Sequence, residues 1–262
     1  MTVVDLAYDE AGEGPVVVLV HGHPFNRSMW APQLDVLSRQ FRVIAPDLRG
    51  YGDSPVTSGT VTMAQLGADV RHLLDSQGVE TAALVGLSMG GLVVMELATA
   101  QPQRWWALGF IATTAQPVTE VEKADRLARA RTAEEQGMRP LARDMAARLF
   151  GPDPDKALTD QIMAMMLAIN PLGAAAALRG RAERPDYRPL LASLDTSSFV
   201  CVGDHDTFST AAVTDELIGC LREPDVIVLS GVGHLPNLER PGEFNEHLLG
   251  FLDRTRSAGA GQ

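Results

Sequence analysis

The segment Gly86–Gly90 (GLSMG) places a serine where a nucleophile could act, because it matches the spacing G-x-S-x-G. An apolar run ends at Val85 just before it, and a helical pattern follows from Gly91. This context predicts a sharp, strained strand-to-helix turn that exposes the Ser88 hydroxyl above a sheet. A glycine-rich turn whose serine only caps a helix is the competing interpretation, and the strand before and helix after make it the weaker one.

A serine hydroxyl needs a general base near neutral pH, and the chain has six histidines. His234 follows the last apolar run and precedes the terminal helical pattern, which predicts a loop at the same sheet edge as Ser88. His72 and His247 fall inside helical patterns, and His205 lies beside the candidate acids. We therefore predict that His234 is the base and that these three are surface or structural residues.

The acid that orients this histidine should follow another strand, and two aspartates follow the apolar run at 198–202. Asp204 comes directly after a turn glycine, where an aspartate side chain often bonds its own loop backbone. Asp206 lies further along the loop, in a better position to reach His234. We predict that Asp206 is the catalytic acid and that Asp204 stabilises the loop.

The segment HGHP, which starts at His21, follows an apolar run and could supply a backbone N–H for a reacting carbonyl oxygen. The N–H of Met89, the residue after the serine, would be the second donor. We predict His23 as the first donor, with Gly22 and Phe25 close enough to be alternatives. The His21 side chain is predicted to be structural, and that of Phe25 to line the substrate pocket.

Short apolar runs bounded by turn residues alternate with helical patterns along most of the chain. They are apolar on both faces, which is typical of parallel strands covered by helices on both sides. The alternation predicts an α/β fold with a doubly wound, mostly parallel sheet, and Val3–Tyr8 is expected to add an antiparallel edge strand. The runs lie at 16–20, 42–46, 82–86, 107–112, 198–202 and 226–229.

Helical periodicity without a strand pattern extends over residues 117–194, which predicts a helical cap inserted into a core of residues 1–116 and 195–256. Residues 257–262 are expected to be a disordered tail. The cap should cover Ser88 and shape the pocket, and adaptable Met163 and Met166 are predicted to line it, with ordinary helix core as the alternative.

The arginines of this segment alternate with apolar residues and are predicted to form mainly a solvated face. The alternative is that one of them, or Arg179 or Arg181, binds a substrate carboxylate. The cap arginines are Arg126, Arg129, Arg131, Arg139, Arg143 and Arg148.

Composition narrows the class of protein. The 262 residues are 45% hydrophobic and 21% charged, as in soluble globular proteins, and the net charge of −11 disfavours nucleic acids and anionic membrane surfaces as partners. The two cysteines fit neither a disulfide framework nor a zinc site, and no apolar run approaches the roughly 20 residues of a membrane span. We expect a cytoplasmic protein with a small-molecule substrate, no metal and no cofactor, and the oligomeric state stays open, a homodimer included.

Five motifs in this order together resemble the α/β-hydrolase superfamily, over nearly the whole chain. They are HGHP at 21–24, DLRGYGDS at 47–54, GLSMGG at 86–91, GDHD at 203–206 and GHLPNLERP at 233–241. The resemblance implies the α/β-hydrolase fold, a catalytic triad of Ser88, Asp206 and His234, and an oxyanion hole formed by His23 and Met89. Within the superfamily, segments 170–189 and 233–241 look similar to enzymes of the 3-oxoadipate enol-lactonase type, whereas epoxide hydrolases and haloalkane dehalogenases carry aspartate at the nucleophile position.

These observations favour a serine hydrolase that cleaves a small apolar or aromatic carboxylic ester or lactone through an acyl-enzyme. A thioesterase or acyltransferase would use the same three side chains with another acyl group or acceptor. A cofactor-free perhydrolase and a non-catalytic ligand receptor on the same fold are the remaining alternatives.

Overall fold

Seven strands form one sheet in this computed structural model, which describes residues 2–259. The strands are β1 (Tyr8–Ala11), β2 (Val16–Val20), β3 (Arg42–Pro46), β4 (Ala82–Leu87), β5 (Trp105–Ile111), β6 (Ser198–Gly203) and β7 (Asp225–Leu229). Their order across the sheet is β1-β3-β2-β4-β5-β6-β7, with β1 antiparallel to β3 and every other pair parallel. The prediction of a mostly parallel α/β sheet is confirmed.

Helices cover both faces of this sheet. They are α1 (Ala31–Leu37), α2 (Met63–Ser76), α3 (Met89–Ala100), α4 (Glu120–Gln136), α5 (Arg139–Leu149), α6 (Lys156–Ala168), α7 (Pro171–Arg181), α8 (Arg188–Leu191), α9 (Ala211–Gly219), α10 (Pro236–Glu239) and α11 (Pro241–Gly259). Side chains of successive strand residues point to opposite faces, so Val18 and Val20 of β2 enter one core cluster while Val17 and Leu19 enter the other. This two-sided burial explains why the central strands are apolar throughout.

The two edge strands differ from the sequence-based expectation. The predicted strand Val3–Tyr8 is wrong in position, because pairing with β3 begins only at Tyr8. The residues before it leave the sheet: the Val4 N–H donates to Asp69 and Leu6 packs into the core. At the other edge, Val228 of β7 is 58% exposed, although its apolar run suggested cover on both faces.

Between β5 and β6, the described elements are all helices, α4 to α8, and they fall within the segment predicted as an insertion. Helix α7 packs against α4 and also lies directly on core loops. The Val61 N–H donates to the Ala176 carbonyl, and a Cβ at Gly180 would overlap the carbonyl oxygen of Val61. Small residues on α7 therefore let the helix approach the core backbone to hydrogen-bond distance.

The last helix, α11, continues to Gly259, which lies inside the segment 257–262 predicted as a disordered tail. Residues 260–262 lie outside the described residues. Over residues 2–259 no single helix combines the length and apolar character required to cross a bilayer. Helices α6 and α7 would pass that test only as a pair, bent by 92° at the break between them.

The contact between α7 and the core predicts a large effect for Gly180→Ala. The new methyl group would meet backbone that cannot rotate away, so we expect the free energy of unfolding to fall by about 1–3 kcal/mol. Gly219→Ala is the matched control, since Gly219 also lies in the last turn of a helix but has no neighbouring atom within 4 Å of an added Cβ. It should be neutral or slightly stabilising. Denaturant unfolding of both variants measures this, and equal stabilities would contradict the close packing of α7.

Candidate active site

Ser88 lies at the turn between β4 and α3 in a strained backbone conformation, with φ 53° and ψ −112°. A non-glycine residue at positive φ costs about 1–3 kcal/mol, so its surroundings must hold it there. The Ser88 N–H donates to the Ile111 carbonyl at 2.8 Å, and the Thr113 hydroxyl donates to the Ser88 carbonyl at 2.7 Å. A Cβ at Gly86 would overlap the Gly90 carbonyl. Glycine is therefore required where β4 and α3 pass close to each other.

His234 lies on the loop after β7 and contacts Asp206, which lies on the loop after β6. The His234 Nδ1 is 2.8 Å from the Asp206 carboxylate, and both residues are buried. The other carboxylate oxygen accepts hydrogen bonds from the amides of Phe208 and Ser209, at 2.8 and 3.1 Å. Burial opposes ionisation of Asp206, but the charge and hydrogen bond of His234 and the two amides outweigh it and lower the pKa of Asp206. An ionised Asp206 accepts from Nδ1–H, which leaves Nε2 of a neutral imidazole free to accept a proton.

Asp204 was predicted to bond its own loop, but it stabilises the loop that carries His234 instead. Its carboxylate accepts from the Ser230 hydroxyl at 3.0 Å and from the Gly231 N–H at 2.7 Å. The backbone N–H of His234 donates to the carbonyl of Leu149 on α5, at 2.8 Å. The loop is therefore held at two places, by the Asp204 carboxylate and by the Leu149 carbonyl at the end of α5.

Ser88 and His234 line the same cavity of about 290 Å³, which lies between the carboxyl edge of the sheet and helices α4, α5 and α7. His23 and Met89 line it as well, and Asp206 supports His234 from behind. This volume suits a small molecule. The fold thus brings the predicted nucleophile, base, acid and both oxyanion-hole residues to one place.

The structure narrows the candidate oxyanion donors. Met89 is the first residue of α3, and the amides of a first helical turn have no acceptor within their helix. The Phe25 N–H donates to the Gly22 carbonyl at 3.0 Å, so the Phe25 amide is already engaged. Of the donors considered in the HGHP segment, His23 and Gly22 remain.

The two histidines of that segment have different environments. The Nε2 of His21 accepts from the Leu48 N–H at 2.9 Å, so its Nδ1–H donates to the Gly22 carbonyl, and burial lowers its pKa. His21 is thus a neutral, structural residue, as predicted. The Nδ1 of His23 lies 2.7 Å from the hydroxyl of Tyr51, and burial together with nearby arginines lowers the pKa of His23 further.

Tyr51 is a cavity-supporting residue that sequence reasoning missed. Its hydroxyl contacts both His23 and the sulfur of Met89, the two predicted oxyanion-hole residues. The signal was present in the segment DLRGYGDS, but a tyrosine in a loop carries no spacing that identifies its partner.

The side chains predicted to line the pocket do not line this cavity. Phe25 and Met166 are completely buried in the core cluster on one face of the sheet, and Met163 lines a separate surface depression beside Phe150. Helix α6 turns its methionines toward that core rather than toward Ser88. The apolar wall of the cavity consists instead of Leu92, Leu141, Met145, Leu178 and Phe208.

The arginines of the insertion also depart from expectation. Arg131, Arg139 and Arg143 are exposed, as predicted for a solvated face. Arg126 and Arg129, in contrast, are at least partly buried and line the cavity together with Arg181 and Arg184, and Arg148 lines it while remaining exposed. The rotation of each helix about its axis decides which arginines face inward, and that rotation depends on how the insertion docks. Across residues 2–259, no group of three or more His, Cys, Asp or Glu side chains is arranged to hold a metal ion.

Comparison with known proteins agrees with this architecture. The chain is 30% identical over 261 residues to 3-oxoadipate enol-lactonase 2 of Acinetobacter baylyi, covering 97% of this chain and 96% of that protein. A thermophilic esterase from Thermogutta terrifontis, solved with malate bound, superposes with a TM-score of 0.91 at 33% identity, over 95% of this chain and 93% of that one. The enol-lactonase of Burkholderia xenovorans LB400 superposes with a TM-score of 0.88 at 30% identity, over 95% of this chain and 96% of that one.

A family model matches residues 17–247, a range that includes β2, the Ser88 turn, the helical insertion and the His234 loop. Sequence, sheet topology and this match agree. The chain belongs to the alpha/beta hydrolase family.

Proposed function

We propose that this protein is a serine hydrolase that cleaves a small carboxylic ester or lactone, with Ser88 as nucleophile, His234 as general base and Asp206 as the acid that orients it. The observation that carries the proposal is the buried His234–Asp206 pair, whose histidine lines the same cavity as the strained Ser88 turn. The likeness to enol-lactonases and to an esterase supports ester or lactone hydrolysis as the reaction.

The first step would form an acyl-enzyme. The Ser88 Oγ attacks the substrate carbonyl carbon while Nε2 of His234 takes the hydroxyl proton. The Asp206 carboxylate stabilises the resulting imidazolium through Nδ1–H. The amides of Met89 and His23 would donate to the oxyanion, each contributing about 10²–10³ in rate by analogy with measured cases.

The second step would release the acid. Before it begins, the first tetrahedral intermediate collapses to the acyl-enzyme: the bond to the alkoxide breaks and His234 gives its proton to that oxygen, which departs from an ester but remains attached to the acyl chain of a lactone. The same imidazole then removes a proton from water as the water attacks the acyl-enzyme carbonyl. Collapse of this second tetrahedral intermediate breaks the bond to Ser88 Oγ, and the imidazolium of His234 gives its proton to that oxygen, which restores the serine hydroxyl.

Removal of the proposed nucleophile should abolish turnover. We expect Ser88→Ala to lower kcat for p-nitrophenyl butyrate by at least about 10⁴-fold, because the attacking oxygen is lost. A fluorophosphonate probe should label the wild type at Ser88 and leave the variant unlabelled. Ser38→Ala is the control, since that hydroxyl is exposed and bonds only the Asp35 carbonyl. If the probe labels another serine, or if Ser88→Ala remains active, the proposed nucleophile is contradicted. If the wild type binds a ligand tightly without turning it over, the result favours a receptor.

The two aspartates should separate catalysis from loop stability. Asp206→Asn removes the charge that stabilises the imidazolium, and we expect kcat to fall by about 10⁴-fold. Asp204→Asn should keep most of kcat but lower the melting temperature, because it weakens bonds to the Ser230 hydroxyl and the Gly231 amide. Steady-state kinetics and thermal unfolding of both variants measure this. Loss of activity in Asp204→Asn at intact fold, with an active Asp206→Asn, would reverse the assignment.

A further inference from the structure

The cavity that contains Ser88 has an unusually cationic wall for an acidic chain. Five arginines line it, Arg126, Arg129, Arg148, Arg181 and Arg184, against three carboxylates, those of Glu122, Asp125 and Asp144. The chain as a whole carries a net charge of −11. Positive charge concentrated in an enclosed site attracts anions and strengthens their binding, since water screens it less there than at a surface.

The three carboxylates are already engaged by arginines other than Arg181. Glu122 pairs with Arg126 at 3.1 Å and with Arg184 at 3.5 Å. Asp125 and Asp144 both pair with Arg129, each at 2.8 Å. These pairs hold their arginines in place across α4, α5 and the end of α7.

Arg181, the last residue of α7, has no such partner. Its guanidinium makes no hydrogen bond or ion pair with any residue from 2 to 259, and its Nε is buried without an acceptor. A buried donor left unsatisfied costs about 1–3 kcal/mol. Burial and the charges of Arg126 and Arg184 lower the pKa of Arg181, and they outweigh the opposite influence of Tyr51 and Glu122. A bound anion could therefore supply the partner that the Arg181 guanidinium lacks.

The position of Arg181 connects it to the proposed reaction. It lines the same cavity as Ser88 and His234, and its charge lowers the pKa of His23 at the proposed oxyanion hole. A ligand that bound Arg181 would lie beside these groups.

We propose that Arg181 binds a free carboxylate of the substrate, so that the proposed hydrolase acts on a small ester or lactone whose acyl part also carries a carboxylate. This deepens the proposed function and rests on it for the ester or lactone bond. A planar guanidinium matches a carboxylate in two parallel hydrogen bonds, and Arg126 and Arg184 beside it would add attraction. Binding a part of the substrate that does not react would position its carbonyl at Ser88.

The kinetic test compares matched esters with and without a negative charge. We expect the wild type to prefer monomethyl succinate, glutarate or adipate over methyl esters of neutral acids of the same chain length, in kcat/KM. Arg181→Gln should lower the charged-to-neutral ratio by about 10- to 100-fold, as expected for loss of a charge-assisted hydrogen bond. Arg179→Gln is the control on the same helix, because Arg179 pairs with Glu134 outside the cavity. It should leave the ratio unchanged.

A binding test does not depend on turnover. In the Ser88→Ala background, calorimetry with glutarate and adipate should show binding that Arg181→Gln weakens at least about tenfold. Inorganic phosphate is the comparison ligand, and phosphate bound more tightly than either dicarboxylate would overturn the assignment to a carboxylate. Arg181→Gln should also keep or raise the melting temperature, since it removes an unpaired charge. A lower melting temperature with an unchanged charged-to-neutral ratio would show a purely structural role and overturn the proposal.

The two proposals fail separately. Ser88-dependent hydrolysis with an equal charged-to-neutral ratio in wild type and Arg181→Gln would leave the hydrolase and remove the carboxylate site. Dicarboxylate binding that depends on Arg181, without turnover of any ester, would support the carboxylate site and contradict the hydrolase.

Discussion

The positive φ of Ser88 is the constraint on which the rest of the site depends. The strain is sustained because β4, β2 and α3 approach each other at glycines: a Cβ at Gly90 would overlap the Val20 carbonyl, and one at Gly91 would overlap Thr113. The hydrogen bonds of the Ser88 backbone to the next strand then leave only the side chain to face the cavity. The sheet thus offsets the backbone strain through packing that any larger residue would disrupt.

The histidine opposite this serine is held by both parts of the molecule. The Glu239 carboxylate accepts from the amide of Gly233 in the His234 loop and from the amide of Gly151 at the end of α5. The His234 amide itself donates to Leu149. Helix α5 therefore does more than line the cavity: a shift of α5 would move the backbone of His234, so the docking of α5 and the position of the imidazole are coupled.

The cavity combines two environments with different physical roles. Around His234 it is buried and apolar: the Phe208 ring centroid lies 4.8 Å from that of the imidazole, and the Asp206 carboxylate faces Nδ1 at 2.8 Å. The wall formed by α4, α5 and the end of α7 is cationic. The Arg148 guanidinium stacks on the same Phe208 ring, with its central carbon 4.6 Å from the ring centroid. One side thus holds the proposed base, and the other carries the positive charge that the proposed carboxylate would bind.

The sequence by itself determined the sheet, the Ser88 turn and the position of Asp206, not Asp204, beside His234, because strand periodicity and turn chemistry act over a few residues. It did not determine the strand start at Tyr8 or the cavity wall, where Met163 and Met166 were expected and arginines stand. Each helix of the insertion has apolar and charged faces, and the amino-acid pattern alone does not say which face meets the site. Docking through small residues such as Gly180 sets that rotation, so only the tertiary structure could place Arg181 at the cavity of Ser88 with its Nε left without an acceptor.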